Sequence, residues 1–255
     1  MKIKGKVCVV TGAASGIGRA LARRFAAEGA KGVAVADLDS TALDAVAAEI
    51  GGLAVRTDVA KEADIQSLVR ETEARFGPID VFVSNAGIAR LGGEDAPDEV
   101  WRLNFDVHVM AHVYAARAVA PGMAARGSGY LVNTASAAGL LTHVNSATYS
   151  VSKHAAVAFA EWLAIEYGDK GVRVSVLCPQ AVRTAMTANG GVVSSVDGML
   201  EPEQLADCVI ETMDTEGFLI LPHPVVLDYM RRKIGDYDRW LTGMRRFKRK
   251  SGGGV

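Results

Sequence analysis

Tyr149 and Lys153 stand four residues apart in Tyr149-Ser150-Val151-Ser152-Lys153. Positions i and i+4 share a helix face, so a phenol and an ammonium point into one site. A neighbouring cation, or the positive charge of a nicotinamide, favours the phenolate and draws the tyrosine down from its ordinary pKa of about 10. Such a group takes a proton from an alcohol or gives one to a ketone. In isolation the spacing is better explained by an amphipathic helix face. A second constellation is Thr11-Gly12-Ala13-Ala14-Ser15-Gly16-Ile17-Gly18. Its glycines allow a tight turn whose N–H groups approach a pyrophosphate at a helix N-terminus. A turn that serves only helix packing is the plainer alternative. Asp37 follows Gly18 by 19 residues, where a carboxylate accepts hydrogen bonds from a ribose diol and repels a 2′-phosphate. Ala13, Ala14 and Ser15 offer no cation to attract one, so the pattern favours NAD over NADP. Asp39 is a competitor for this role, and a solvated loop carboxylate is the plain alternative.

The elements that must position these groups alternate in period. Short apolar runs at 6–10, 32–36, 53–56, 79–84, 129–134, 172–177 and 218–221 read as buried strands. Helical periods fill 17–29, 40–50, 61–76, 97–123, 148–167 and 202–213, with Ser40 a candidate N-cap and 97–123 a single long helix with a possible break near its start. Strands alternating with helices predict an α/β fold: one doubly wound parallel sheet of about seven strands, flanked by helices on both faces. No internal repeat and no linker divides the chain. One unit is expected, with 1–224 as the body and 225–255 as a helical extension.

Composition narrows the function classes. Lys plus Arg total 28 and Asp plus Glu 29, a formal net charge of -1. That balance gives no field to draw nucleic acid or an anionic membrane. Hydrophobic residues make up 49% and charged residues 22%, the composition of a globular chain. The three cysteines, Cys8, Cys178 and Cys208, form no CxxC pair, so neither a disulfide framework nor a metal site is expected. No leader peptide and no long apolar span is visible, and a cytoplasmic setting is the expectation.

Taken together, TGxxxGIG at 11–18, Asp58-Val59, Asn85-Ala86-Gly87, Ser136, Tyr149 with Lys153, and Pro179 with Thr184 resemble the short-chain dehydrogenase/reductase family in order and spacing, over roughly residues 3–221. The resemblance implies a Rossmann-like domain that moves a hydride between a carbonyl carbon and a nicotinamide cofactor. It implies Tyr149 as acid/base, Lys153 on the ribose hydroxyls, and Ser136 on the substrate oxygen. It implies a cofactor groove made by Gly12, Ser15, Gly16, Ile17 and Gly18, with Asp37, Asp58 and Val59 toward the adenine end. Asn85, Ala86 and Gly87 line the groove further on, with Pro179, Val182 and Thr184 near the nicotinamide. NAD is the expected cofactor. A homodimer or homotetramer is the expected assembly.

Three departures bear on mechanism. His108 falls where the family carries an Asn that supports a proton relay behind the lysine. It serves either in a modified relay, with its own ionisation near neutral pH, or as a satisfied buried histidine. Gln180 replaces the usual glycine after Pro179. The substrate segments 140–145 and 185–200 hold His143, Asn145, Met186 and Met199, with Gly190, Gly191, Val192, Val193 and Gly198 among them. These suggest a mobile apolar lid over a hydrophobic secondary alcohol or its ketone. Neither segment holds an Arg or Lys, the nearest being Arg183 just ahead of the second, which argues against a strongly anionic substrate. Beyond Pro224 the spacing predicts one helix to about residue 250. Leu227, Met230, Ile234, Tyr237, Leu241 and Met244 form an apolar seam there, ahead of a basic end. A NAD(P)H-dependent reductase and a nucleotide-sensing protein without turnover are the two alternatives to a dehydrogenase.

Overall fold

The computed structural model describes residues 1–188 and 196–251. Gly190, Gly191, Val192 and Val193 of the expected lid lie outside the described residues. Among the described residues seven strands form one sheet. They are β1 (Val7–Thr11), β2 (Gly32–Asp37), β3 (Leu53–Arg56), β4 (Val81–Ser84), β5 (Gly129–Thr134), β6 (Val172–Leu177) and β7 (Leu219–Ile220). Their order is β3-β2-β1-β4-β5-β6-β7 and every pairing is parallel. Val10 sits level with Val35 of β2 on one side and Val83 of β4 on the other. The chain's winding reverses between those two neighbours, which opens a crevice at the strands' carboxyl ends.

The helices are α1 (Gly16–Ala27), α2 (Ser40–Ile50), α3 (Glu62–Phe76), α4 (Asp98–Phe105), α5 (Ala111–Ala125) and α6 (Ala138–Leu141). They continue with α7 (Ala147–Tyr167), α8 (Ala185–Ala188), α9 (Pro202–Thr215), α10 (Val225–Gly235) and α11 (Tyr237–Lys250). Strand side chains alternate between two cores. Cys8 and Val10 meet Leu21 and Phe25 of α1, Leu43 of α2 and Leu205 of α9. Val7 and Val9 meet Leu68 of α3, Met123 of α5 and Leu163 of α7 on the other face. Burial on both faces explains why the strands read as unbroken apolar runs. Cys8 and Cys178 are buried free thiols, and Cys208 is half-buried. No helix among the described residues is long and apolar enough to cross a membrane.

Three local readings change. Asp39, not Ser40, caps α2, its carboxylate accepting the Ala42 N–H at 3.1 Å. The long helix over 97–123 is interrupted by a single π turn at Asp106–Met110, which joins α4 to α5. The expected C-terminal helix divides at Asp236, whose φ of -159° is extended and whose carboxylate caps α11 through Arg239 N–H at 2.9 Å. The division ends the common seam: Ile234 is 73% exposed, while Met244 lies against the crevice described next.

Candidate active site

A cavity of about 960 Å³ runs along the carboxyl ends of the strands. One end is built by the β1–α1 turn, where Gly12, Ser15, Gly16, Ile17 and Gly18 all line it. Gly12 has a φ of +67°, and a Cβ there would stand 2.8 Å from Ala86 Cα. A side chain on Gly18 would stand 2.1 Å from Gly12 O. The turn is therefore folded too tightly for any residue but glycine at these two positions. Asn85 ties it to β4, donating from Nδ2 to Thr11 O at 3.0 Å. The turn thus sets the N-terminus of α1 at the cavity, the kind of site that holds a dinucleotide pyrophosphate.

Asp37 lines the cavity at the end of β2. Its Oδ2 accepts the Ala14 N–H at 3.0 Å and its Oδ1 the Leu38 N–H at 2.7 Å. Oδ1 also accepts the Asp39 N–H at 3.4 Å, so the carboxylate is oriented with Oδ2 left a further acceptor site for a diol. Asp39, spent on the α2 cap, does not line the cavity. Asp58, Val59, Asn85, Ala86 and Gly87 form the next stretch of wall, and Pro179, Val182 and Thr184 the opposite one. These residues fit a dinucleotide.

At the centre are Ser136, Tyr149 and Lys153. Ser146 Oγ accepts the Tyr149 N–H at 3.2 Å, and this cap starts α7 so that Tyr149 and Lys153 share its inner face. The Lys153 ammonium stands 5.7 Å from the Tyr149 ring centroid and donates to Thr134 O at 3.1 Å. Burial lowers Lys153 to about 7. Burial also raises Tyr149, opposed by a hydrogen bond from Ser136. The expected lowering of the tyrosine is thus not what the protein alone provides: in a dry site each group is driven toward its neutral form.

His108 belongs to the π turn, is fully buried, and does not line the cavity. Its Nδ1 is 3.0 Å from Ser152 Oγ, and its Nε2 is 3.2 Å from Ile88 N and 3.1 Å from Ile88 O. Ser152 donates its own proton to Tyr149 O at 3.0 Å. The network therefore assigns Nδ1–H as donor to Ser152 and Nε2 as acceptor of the Ile88 N–H. The ring edge also meets the Tyr149 ring, with centroids 5.4 Å apart. Burial, then Lys153 and His112, push His108 down to about 2. This corrects the expectation of a second ionisation near neutral pH. Held neutral, His108 bolts the π turn to the start of α7.

His112, one turn further on, is missed by sequence motifs altogether. It is 1% exposed, with neither ring nitrogen hydrogen-bonded among the described residues. Burial and the Lys153 charge lower it to about 3. Its folded pKa lies below the unfolded value of about 6.5, so the unfolded chain binds the extra proton and stability falls as pH drops from 6.5 toward 3. His112→Leu is expected to be more stable than wild type at pH 5, with an advantage that shrinks above pH 6.5. Urea denaturation at pH 5 and pH 8 checks this, and an advantage equal at both pH values would refute it.

Of the expected substrate residues, His143 and Met186 line the cavity. Asn145 does not: it is exposed, and its N–H donates to His143 Nδ1 at 3.3 Å. Met199 does not either, because the chain there is pinned by Leu200 N–H to Ala181 O at 3.1 Å. Tyr229, Arg232, Trp240, Met244 and Phe247 of α10 and α11 complete the wall. Gln180, the replacement for glycine, donates from Nε2 to Asp197 Oδ2 at 3.0 Å. Helix periodicity flags α10 and α11 as amphipathic but not as cavity wall.

The sequence matches the short chain dehydrogenase family over residues 6–191. It is 38% identical over 255 residues to 1-deoxy-11-beta-hydroxypentalenate dehydrogenase of Streptomyces exfoliatus, covering 95% of this chain and 92% of that one. It is 40% identical over 189 residues to 2,5-dichloro-2,5-cyclohexadiene-1,4-diol dehydrogenase of Sphingobium indicum, covering 72% and 75%. Among solved structures, a short-chain dehydrogenase/reductase from Burkholderia phymatum in complex with NAD superposes with a TM-score of 0.85 at 30% identity, over 93% of this chain and 96% of that one. A short-chain dehydrogenase from Sphingobium yanoikuyae in complex with NADPH gives 0.79 at 25% identity, over 93% and 95%. The family match over most of the chain, the identity to these dehydrogenases and the shared fold agree, and the chain belongs to the short-chain dehydrogenase/reductase family of oxidoreductases.

Proposed function

We propose that the protein is a NAD-dependent dehydrogenase that interconverts a hydrophobic secondary alcohol and its ketone. The observation that carries this reading is that Ser136, Tyr149 and Lys153 open onto the same cavity as the glycine turn and Asp37. The two curated relatives support it through their names, one a hydroxylated pentalenate and the other a cyclohexadiene diol. When bound, the cofactor supplies the hydride acceptor. Ser136 donates a hydrogen bond to the substrate oxygen and Tyr149 holds the proton that oxygen loses. Lys153 binds the ribose hydroxyls and supports the phenolate. The groove residues from Gly12 to Thr184 seat the dinucleotide, and Asp37 selects NAD by accepting from the ribose diol. His143 and Met186 face the substrate.

In this reading residues 1–224 form the catalytic body and 225–255 extend it. Assembly as a homodimer or homotetramer is supported by α7, which keeps Trp162 and Ile165 at 53% and 81% exposure. Neither nucleic acid nor membrane enters the proposal, and the cytoplasm is its setting.

The test is reduction of NAD⁺ and NADP⁺, in parallel, with aliphatic, alicyclic, aromatic and polycyclic secondary alcohols. Turnover with NAD⁺ and at least tenfold less with NADP⁺ is expected. Preference for NADP⁺ would overturn the role of Asp37, and cofactor binding without any turnover across the panel would favour a sensor.

A further inference from the structure

The wall formed by α10 and α11 brings to the cavity a charge that the two substrate loops lack. α10 lies on α6. Val226 is fully buried and packs with Ala137 and Leu141, and Lys233 Nζ donates to Leu140 O at 2.7 Å. This fixes Tyr229 and Arg232, one turn apart, against the cavity. The Arg232 guanidinium carbon stands 5.7 Å from the Tyr229 ring centroid, close enough for the aromatic face to steady a planar cation.

Asp197 also lines the cavity, and among the described residues its hydrogen-bond partners are neutral donors rather than Arg232. Asp197 Oδ1 accepts the Tyr229 hydroxyl at 2.9 Å and Oδ2 accepts Gln180 Nε2 at 3.0 Å. Among the described residues Arg232 makes no ion pair, whereas its neighbour Arg231 pairs with Asp228 at 3.1 Å. Residues 189–195 carry no acidic side chain. Lys233, the next cation along the helix, is spent on a carbonyl. The same cavity is also lined by apolar Leu141, Met186, Trp240, Met244 and Phe247.

We infer that the substrate is an apolar alcohol that also carries a carboxylate, and that Arg232 recognises that carboxylate at the exposed side of the cavity. The inference rests on the dehydrogenase reading above. It adds a single negative charge to a substrate expected not to be strongly anionic. That expectation counted cations only in 140–145 and 185–200, whereas the cation arrives on α10. A guanidinium presents paired donors that match a carboxylate's two oxygens, which a lone ammonium does not.

The experiment is titration calorimetry on the full chain saturated with NAD⁺. The probes are 4-hydroxycyclohexanecarboxylate and a 3-hydroxy bile acid, each beside its methyl ester. For at least one pair the acid is expected to bind roughly tenfold tighter than the ester, with the gap narrowing as salt rises. Arg232→Met is expected to remove that gap by weakening the acid and sparing the ester. Arg232→Lys should keep part of it, and NAD⁺ affinity should be equal in all three proteins. Esters binding as well as acids, no acid binding, or Arg232→Met weakening acid and ester alike would each overturn the inference. Binding is read without turnover, so the two readings fail separately. An acid preference without alcohol oxidation sinks the reaction but not the anion site, and oxidation of neutral alcohols without an acid preference sinks only the anion site.

Discussion

Tyr149→Phe is expected to lower alcohol oxidation by roughly 10²- to 10⁴-fold, the usual weight of a positioned acid/base, while NAD⁺ affinity stays within about twofold. The substitution removes one hydroxyl at the centre of the cavity and nothing else. The ring still packs edge-on against His108, and the α7 cap from Ser146 uses the backbone N–H, not the phenol. Structure and cofactor groove are thereby preserved, so loss of rate reports chemistry. Burial raises Tyr149 and lowers Lys153 to about 7. Wild-type oxidation should therefore climb with pH as the phenol gives up its proton, and the residual rate of the variant should lack that climb. Initial rates and fluorescence titration of NADH across pH 6–10 check both halves. Unchanged turnover would refute Tyr149 as the acid/base.

Gly18→Ala is expected to weaken NAD⁺ binding by more than tenfold and to destabilise the fold by about 1–3 kcal/mol, the range for overpacking a tight contact. The reason is local. The added carbon would meet Gly12 O at 2.1 Å, Gly12 C at 2.7 Å and Asn85 Nδ2 at 2.8 Å. The first two are backbone and have no rotamer to escape into, and the third is the amide that ties the turn to β4 through Thr11 O. The start of α1 must lift away from the turn, which spoils the N–H cradle. Calorimetric titration with NAD⁺ and urea denaturation measure the two effects, and wild-type values in both would refute the contact argument.

The strands were legible because residues such as Val9, Val35, Val83 and Val176 are buried on both sheet faces, and apolar continuity is a direct record of that. The glycine turn, Asp37, Ser136, Tyr149 and Lys153 were legible because their chemistry depends on spacing along the chain. The π turn was not. It carries His108 to Ile88 and Ser152, partners distant in sequence, and a widened helix turn leaves no periodic mark. The split between α10 and α11 falls just after Gly235, and the deciding group is the Asp236 carboxylate that caps the second helix. Tyr229 and Arg232 read as an ordinary surface helix, since only the docking of Val226 on α6 turns that face toward the cavity.

The cavity draws on the chain in blocks. The dinucleotide groove comes mostly from residues before Gly87, the reacting groups from 136–153, and the outer wall from 180 onward. Recognition of the substrate can therefore drift in evolution, or be exchanged in a chimera with a relative's carboxyl-terminal third, without disturbing the segments that carry cofactor and proton. Because α10 meets the body through α6, the joint such a graft must preserve is that contact, and new specificities should be sought first in what projects inward from the two helices beyond it.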